Sequence, residues 1–147
     1  MCAALCIKAA QEKIQKPASA ILLYPSLSND FTSESYKLFG DIKTLTKTSC
    51  EKYLSQYAGQ NASDIQNSLI CPLQQDDMSV FPKVIVVSAG CDILLDEAKA
   101  FIEKCQKSDV ECHHITVDDA VHGFMTYGSV FDNVVTNVLE KVSNLLK

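Results

Sequence analysis

Residues 83–97 read KVIVVSAGCDILLDE, and this stretch decides the fold. Its first half is a β-branched apolar run without polar alternation, which is typical of a strand buried on both faces of a parallel sheet. A helix is predicted directly after it, over residues 95–107, with an apolar stripe made of Ala98, Phe101, Ile102 and Cys105. We therefore predict a strand, a short turn that contains Asp92, and a helix that packs back onto the strand.

Segments of the same kinds lie on both sides of this unit. The apolar run at residues 18–24 predicts another buried strand, and residues 110–117, VECHHITV, predict a third strand. An amphipathic helix is predicted near the beginning of the chain, from Cys2, Leu5, Cys6, Ala9, Ala10 and Ile14, with its end at Pro17. Another is predicted over residues 130–146, with a core stripe of Phe131, Val134, Val135, Val138, Leu139, Val142, Leu145 and Leu146. This alternation predicts an α/β fold with about three parallel strands flanked by helices.

Residues 26–80 differ in composition from the segments around them. Polar residues are frequent there, and the clearest periodic segment is a predicted helix around residues 49–57. The segment also contains seven large apolar residues, which are too many for disorder: Tyr36, Leu38, Phe39, Leu45, Tyr53, Leu54 and Tyr57. We therefore predict an insertion that leaves the sheet and forms short helices.

Composition and charge exclude several classes of protein. The formal charge is −5 and the 13 Lys and Arg residues are scattered, which argues against nucleic acid and anionic membranes as partners. No segment approaches the ~18 consecutive apolar residues of a membrane span, and the first residues lack the pattern of a signal peptide. The seven cysteines are odd in number and form no C-x-x-C pair, so a reducing, cytoplasmic location is expected.

Two candidate site residues follow neighbouring predicted strands. Asp92 comes after the strand at residues 83–89, and His122 comes shortly after the strand at residues 110–117. Loops at the carboxyl ends of parallel strands converge, so an aspartate there can accept a hydrogen bond from the imidazole. The structural alternatives are that Asp92 only shapes the turn before the helix, and that His122 is an ordinary loop residue. Asp96 and Glu97, in the first turn of the helix, are the stronger candidates for capping it and are expected to be structural.

The remaining polar groups are weaker candidates. His113 and His114 are adjacent in a strand, so they point to opposite faces and cannot share a metal ion. Asp118 and Asp119 are expected in a solvated loop, without a third ligand for a cation. The five glycines form no G-x-S-x-G, and no phosphate-binding loop or metal motif occurs, so neither a cofactor nor a metal is predicted.

Two motifs resemble the hormone-sensitive-lipase-like branch of the α/β hydrolases, which includes arylacetamide deacetylases and bacterial esterases. Residues 89–97, AGCDILLDE, are similar to the segment that carries the family's catalytic aspartate, at the position of Asp92. Residues 121–124, VHGF, are similar to the segment of its catalytic histidine, at the position of His122, after the family's spacing of about thirty residues. Residues 21–25, ILLYP, look like the sixth strand, and residues 26–80 look like the cap insertion.

The resemblance implies a carboxylic ester hydrolase in which Asp92 and His122 belong to a Ser-His-Asp triad. It divides the chain into a first helix and sixth strand (1–25), a cap-like insertion (26–80), and a part that carries acid and histidine (81–147). In the family the nucleophile motif G-D-S-A-G-G directly precedes a helix similar to the one that begins at Cys2. The chain therefore resembles the C-terminal half of the fold. The alternative is a catalytically inactive fragment or pseudoenzyme.

The resemblance also implies partners. The substrate of the ester hydrolase would be a small-to-medium hydrophobic ester. We expect the chain either to form a homodimer or to associate with the N-terminal half of the fold.

Overall fold

The computed structural model describes residues 1–42, 44–59 and 66–147. Within these ranges the chain forms five α-helices and three β-strands, with short 3₁₀ turns between them. In chain order they are α1 (Cys2–Gln11), β1 (Ser19–Leu23), α2 (Glu34–Phe39), α3 (Lys47–Ala58), β2 (Lys83–Cys91), α4 (Leu95–Lys107), β3 (Cys112–Val121) and α5 (Asp132–Leu145). The predicted α/β class is confirmed.

The three strands form one parallel sheet in the order β1-β2-β3. Strand β2 lies in the centre, and its residues from Val84 to Ala89 are all buried. This burial on both faces explains why the strand is continuously apolar instead of alternating. One edge of the sheet is β1, where Ile21 and Leu23 are 37% and 42% exposed.

Helices cover both faces of the sheet. On one face α1 and α4 pack over β1 and β2, and the buried side chains there include Ile7, Leu22, Val86 and Phe101. On the other face α5 packs against β2 and β3. Its contact side chains Val138 and Val142 are four residues apart, and therefore lie on one side of the helix.

The apolar stripe predicted for α5 is wider than the buried one. Leu139 is 53% exposed and Leu146 is 48% exposed, although both were expected in the core. Leu139 is about 100° around the helix from Val138. Because the helix contacts the sheet along one narrow line, such a residue points away from it.

The first helix ends earlier than predicted from Pro17. Helix α1 stops at Gln11, and Lys13 takes a left-handed conformation with φ 56°. The N–H groups of Lys13 and Ile14 donate to the carbonyls of Ala10 and Ala9 and close the helix end. Ile14 therefore lies outside the helix and is 57% exposed.

Strand β3 is longer than predicted and contains an irregularity. It runs to Val121, so Asp118 and Asp119 lie within the strand and not in a loop. Partners are offset by 28 residues from Val84↔Cys112 to Ala89↔Val117, but by 30 residues at Cys91↔Val121. Two extra residues of β3 are thus accommodated beside Gly90.

The insertion contains α2 and α3, and the predicted helix around residues 49–57 corresponds to α3. Tyr36 and Cys50 from these helices pack on Ile93 and Leu94, directly after β2. The insertion is therefore anchored on the turn that holds Asp92. No helix within the described residues is long and apolar enough to cross a membrane.

Candidate active site

The structure brings Asp92 and His122 together at the carboxyl ends of β2 and β3. The imidazole Nδ1 lies 2.8 Å from Oδ2 of Asp92. The other carboxylate oxygen, Oδ1, accepts the backbone N–H of Leu94 at 3.0 Å. Asp92 therefore shapes the turn and holds the imidazole at the same time, so its structural and functional interpretations do not exclude each other.

The two side chains of the pair differ in burial. Asp92 is only 2% exposed, whereas the His122 side chain is 24% exposed. A carboxylate that accepts a hydrogen bond from Nδ1 favours the tautomer with the proton on Nδ1. The second ring nitrogen, Nε2, forms no hydrogen bond with the described residues, and the His122 side chain lines the cavity described below.

The irregularity in β3 determines where His122 lies. A Cβ on Gly90 would lie 2.1 Å from the carbonyl oxygen of Asp118, so only glycine permits the close approach of the two strands. Because β3 gains two residues at this point, Val121 pairs with Cys91 and His122 follows directly beside Asp92. Gly123, with φ 76°, then turns the chain away.

An aromatic residue directly after β1 completes the surroundings of the imidazole. The ring of Tyr24 lies 4.9 Å from the ring of His122, centroid to centroid, in a T-shaped arrangement. It also contacts Phe124 at 5.9 Å. Burial raises the pKa of the Tyr24 hydroxyl. The apolar run and the following Pro25 indicated only the end of a strand, so nothing in the local sequence pointed to this contact.

A cavity of about 700 Å³ opens beside His122. Its walls come from β1 and the segment after it, from the start of α1, from the insertion, and from Leu94. The side chains of the insertion that line it are Leu45, Cys50, Tyr53, Leu54, Tyr57, Leu69, Ile70 and Pro72. No Asp, Glu, Lys or Arg of the described residues lines this cavity. Its size is typical of a site for a small organic ligand.

Glu97 and Asp96 connect helix α4 to the beginning of the insertion. Oε2 of Glu97 accepts the backbone N–H groups of Leu27 and Ser28 at 2.8 and 2.6 Å. Oδ2 of Asp96 accepts the N–H of Ser35 at 2.8 Å. Both carboxylates were expected to cap α4, but their hydrogen bonds go to backbone that lies more than 60 residues away along the chain and not to the N–H groups of the helix.

Glu97 is a buried acid with one unsatisfied oxygen. It is 6% exposed, and no described group forms a hydrogen bond with its Oε1. Burial raises its pKa to about 8, although the two N–H donors at Oε2 act in the opposite direction. The neutral acid is therefore an important form of this residue near neutral pH.

The other candidates lie apart from the Asp92–His122 pair. His113 contacts Glu111 at 3.3 Å, and Nε2 of His114 lies 2.8 Å from Oγ of buried Ser88. Burial lowers the pKa of His114. The side chains of Asp118 and Asp119 are exposed. Among the described residues, no group of three or more His, Cys, Asp and Glu side chains is arranged to hold a metal ion.

Comparison with known proteins identifies the family. A model of the alpha/beta hydrolase fold matches residues 1–126. Lipase 2 of Moraxella sp. is 29% identical over 137 residues, which cover 91% of this chain and 31% of that protein. An esterase of Acinetobacter venetianus is 28% identical over 130 residues, which cover 87% of this chain and 42% of that protein.

Solved structures show the same fold. A thermostable esterase from Pseudomonas putida superimposes with a TM-score of 0.85 at 22% identity, over 99% of this chain and 46% of that one. One of two fungal esterases from Rhizomucor miehei does so with a TM-score of 0.82 at 24% identity, over 98% and 47%.

The chain belongs to the alpha/beta hydrolase family, and the resemblance to its hormone-sensitive-lipase-like branch is confirmed. It corresponds to the C-terminal half of the fold. It spans about a third of the length of curated relatives such as Lipase 2 and just under half of the solved esterases.

Proposed function

We propose that Asp92 and His122 are the acid and the base of a Ser-His-Asp triad that hydrolyses carboxylic esters. The observation that carries this proposal is the 2.8 Å contact between Nδ1 of His122 and Oδ2 of Asp92 at the mouth of an apolar cavity. A buried carboxylate bound to Nδ1 leaves Nε2 free to accept a proton from a nucleophile. Membership of a family that includes esterases and lipases supports the same reaction.

The two residues have separate tasks in this mechanism. His122 takes the proton of the serine hydroxyl as the oxygen attacks the ester carbonyl, and then delivers it to the leaving alcohol. A water molecule is activated in the same way to release the acid. Asp92 accepts the hydrogen bond from Nδ1 and orients the imidazole throughout the reaction.

Neither a G-x-S-x-G motif nor a serine bonded to His122 occurs among the described residues. We propose that the serine comes from the part of the fold that this chain does not cover. The cavity extends from His122 along β1 to the start of α1. The exposed side chains of Ile21 and Leu23 on β1 form an apolar surface beside it. Association of that part of the fold with this surface would place a nucleophile near Nε2.

The cavity lining supports a small-to-medium hydrophobic ester as substrate. Apart from His122, its side chains are apolar, aromatic, thiol or hydroxyl groups. A charged acyl or alcohol group would lose its hydration there without gaining a partner of opposite charge. A cytoplasmic location also belongs to the proposal, and the seven free cysteines support it.

The test uses the polypeptide encoded by the complete reading frame around these residues. Hydrolysis of p-nitrophenyl butyrate is measured, and a fluorophosphonate probe reports an activated serine. We expect both signals from the unmodified protein. His122→Ala should abolish them, and Asp92→Asn should lower turnover by about 10⁴-fold. His113→Ala is the matched control, since this half-buried histidine contacts Glu111 away from the cavity.

Two results would overturn the proposal. One is turnover that survives His122→Ala, because another group would then be the base. The other is a folded protein that shows neither turnover nor probe labelling, which would favour the non-catalytic alternative.

A further inference from the structure

Tyr24 has a backbone conformation that its place in the fold does not explain. Among the described residues, three non-glycine residues have positive φ: Lys13, Tyr24 and Asp109. Lys13 and Asp109 directly follow the ends of α1 and α4, where a left-handed residue commonly closes a helix. Tyr24 instead follows a strand, with φ 36°. A bulky residue in this region is strained, and such strain is concentrated at functional sites.

Strong local restraints hold Tyr24 in this conformation. Its backbone N–H donates to the carbonyl of Val87 at 2.6 Å and continues the pairing of β1 with β2. Pro25 follows immediately and limits the backbone further. The result is that the aromatic ring lies over the ends of β2 and β3 and contacts His122 and Phe124.

The imidazole needs a second restraint besides Asp92. The hydrogen bond at Nδ1 restrains one atom, whereas the terminal torsion of a histidine has broad, shallow minima. A ring packed 4.9 Å away limits rotation of the imidazole out of its plane. Because Tyr24 also packs on Phe124, its own ring is held in place.

We propose that Tyr24 is a positioning residue that holds His122 in the orientation in which Nδ1 binds Asp92 and the imidazole lines the cavity. This assignment rests on the proposed function for its catalytic meaning, but the contact itself can be tested without catalysis. Within the described residues the hydroxyl of Tyr24 forms no hydrogen bond, so the ring, and not the hydroxyl, is the important part.

The experiment observes the histidine rings directly. The chain contains three histidines, so ¹⁵N-histidine labelling gives three ring systems, and a long-range ¹⁵N–¹H spectrum reports which nitrogen of each carries the proton. In the unmodified full chain we expect His122 in the Nδ1–H tautomer, with nuclear Overhauser contacts to the ring of Tyr24.

Removal of the ring should release the imidazole. In Tyr24→Leu we expect the ratio of Nε2–H to Nδ1–H tautomer at His122 to rise by roughly 2- to 12-fold, the range for loss of one aromatic pair. Tyr24→Phe should retain the original spectrum. Tyr127→Leu is the matched control, because Tyr127 packs on Phe131 and not on His122. In the catalytically competent protein, kcat should fall for Tyr24→Leu and recover in Tyr24→Phe.

Several results would overturn the assignment. These are an unchanged His122 spectrum in Tyr24→Leu, an equal change in Tyr127→Leu, or the absence of Overhauser contacts between the rings of Tyr24 and His122. The last measurement uses the unmodified chain and decides the question even if Tyr24→Leu does not fold. If the protein shows no esterase activity, the proposed function fails, but the expected spectra of His122 stay the same. A failure of the proposed function can therefore be distinguished from a failure of the role of Tyr24.

Discussion

Glu97→Gln should change how the stability of the protein depends on pH. Glu97 is buried on α4, and its Oε2 holds the backbone of Leu27 and Ser28 at the beginning of the insertion. The substitution keeps an oxygen that can accept both N–H groups, and it removes the titratable proton. It therefore separates the effect of ionisation from the effect of the hydrogen bonds.

The sign and size of the effect follow from the pKa. The pKa of Glu97 rises from 4.5 to about 8, chiefly because burial penalises the charged form. The folded protein therefore retains a proton that the unfolded chain loses above pH 4.5. This stabilisation is complete below pH 4.5 and is lost as pH rises to about 8. At about 1.4 kcal/mol for each pH unit, the upper limit is about 5 kcal/mol.

The assay is urea unfolding of both proteins from pH 5 to pH 9. We expect similar free energies of unfolding near pH 5 and a growing advantage of Glu97→Gln toward pH 9. Other titrating groups are common to both proteins and cancel in the difference. Glu103→Gln, an exposed position of the same helix, is the control and should show no such trend. Parallel stability curves for the unmodified protein and Glu97→Gln would refute the reasoning.

Three further substitutions test a buried histidine, the close approach of two strands and the core. His114→Gln should make unfolding less sensitive to acid, because burial lowers the pKa of His114 and this histidine resists protonation in the fold. The difference in Tm between pH 7.5 and pH 5 measures this, and an unaltered difference would contradict it. Gly90→Ala should cost more than about 2 kcal/mol in urea unfolding, since its Cβ would meet the backbone of Asp118, and a cost near zero would refute the close approach. Phe101→Ala should cost about 3–5 kcal/mol in the same assay, because Phe101 is fully buried; a cost below 1 kcal/mol would contradict that burial.

The sequence predicted the secondary structure closely where a local pattern was strong. Helix α4 begins and ends at the residues expected from its apolar stripe. The centre of β2 was also predicted, because a strand buried on both faces must be apolar throughout. The predicted ends of α1 and β3 were wrong. The observed end of α1 depends on a left-handed cap at Lys13, and that of β3 depends on the close approach of two strands at Gly90.

At the site, the sequence indicated which residues to consider but not how they are held. The spacing and the strand ends pointed to Asp92 and His122, and the structure places them in contact. Their assignment as triad residues remains a proposal. The contact of Tyr24 with His122 had no signal in the sequence, because it depends on the pairing of β1 with β2.

By itself the sequence determined the alternation of strands and helices and the parallel sheet, and it singled out Asp92 and His122 as the candidate pair. These features depend on the period of apolar residues and on short motifs, which neighbouring residues carry. Only the tertiary structure decided that β3 gains two residues beside Gly90, that Glu97 binds the backbone of Leu27, and that Leu139 is exposed. Each of these depends on contacts between segments that are distant in the chain, and local sequence patterns do not record such contacts.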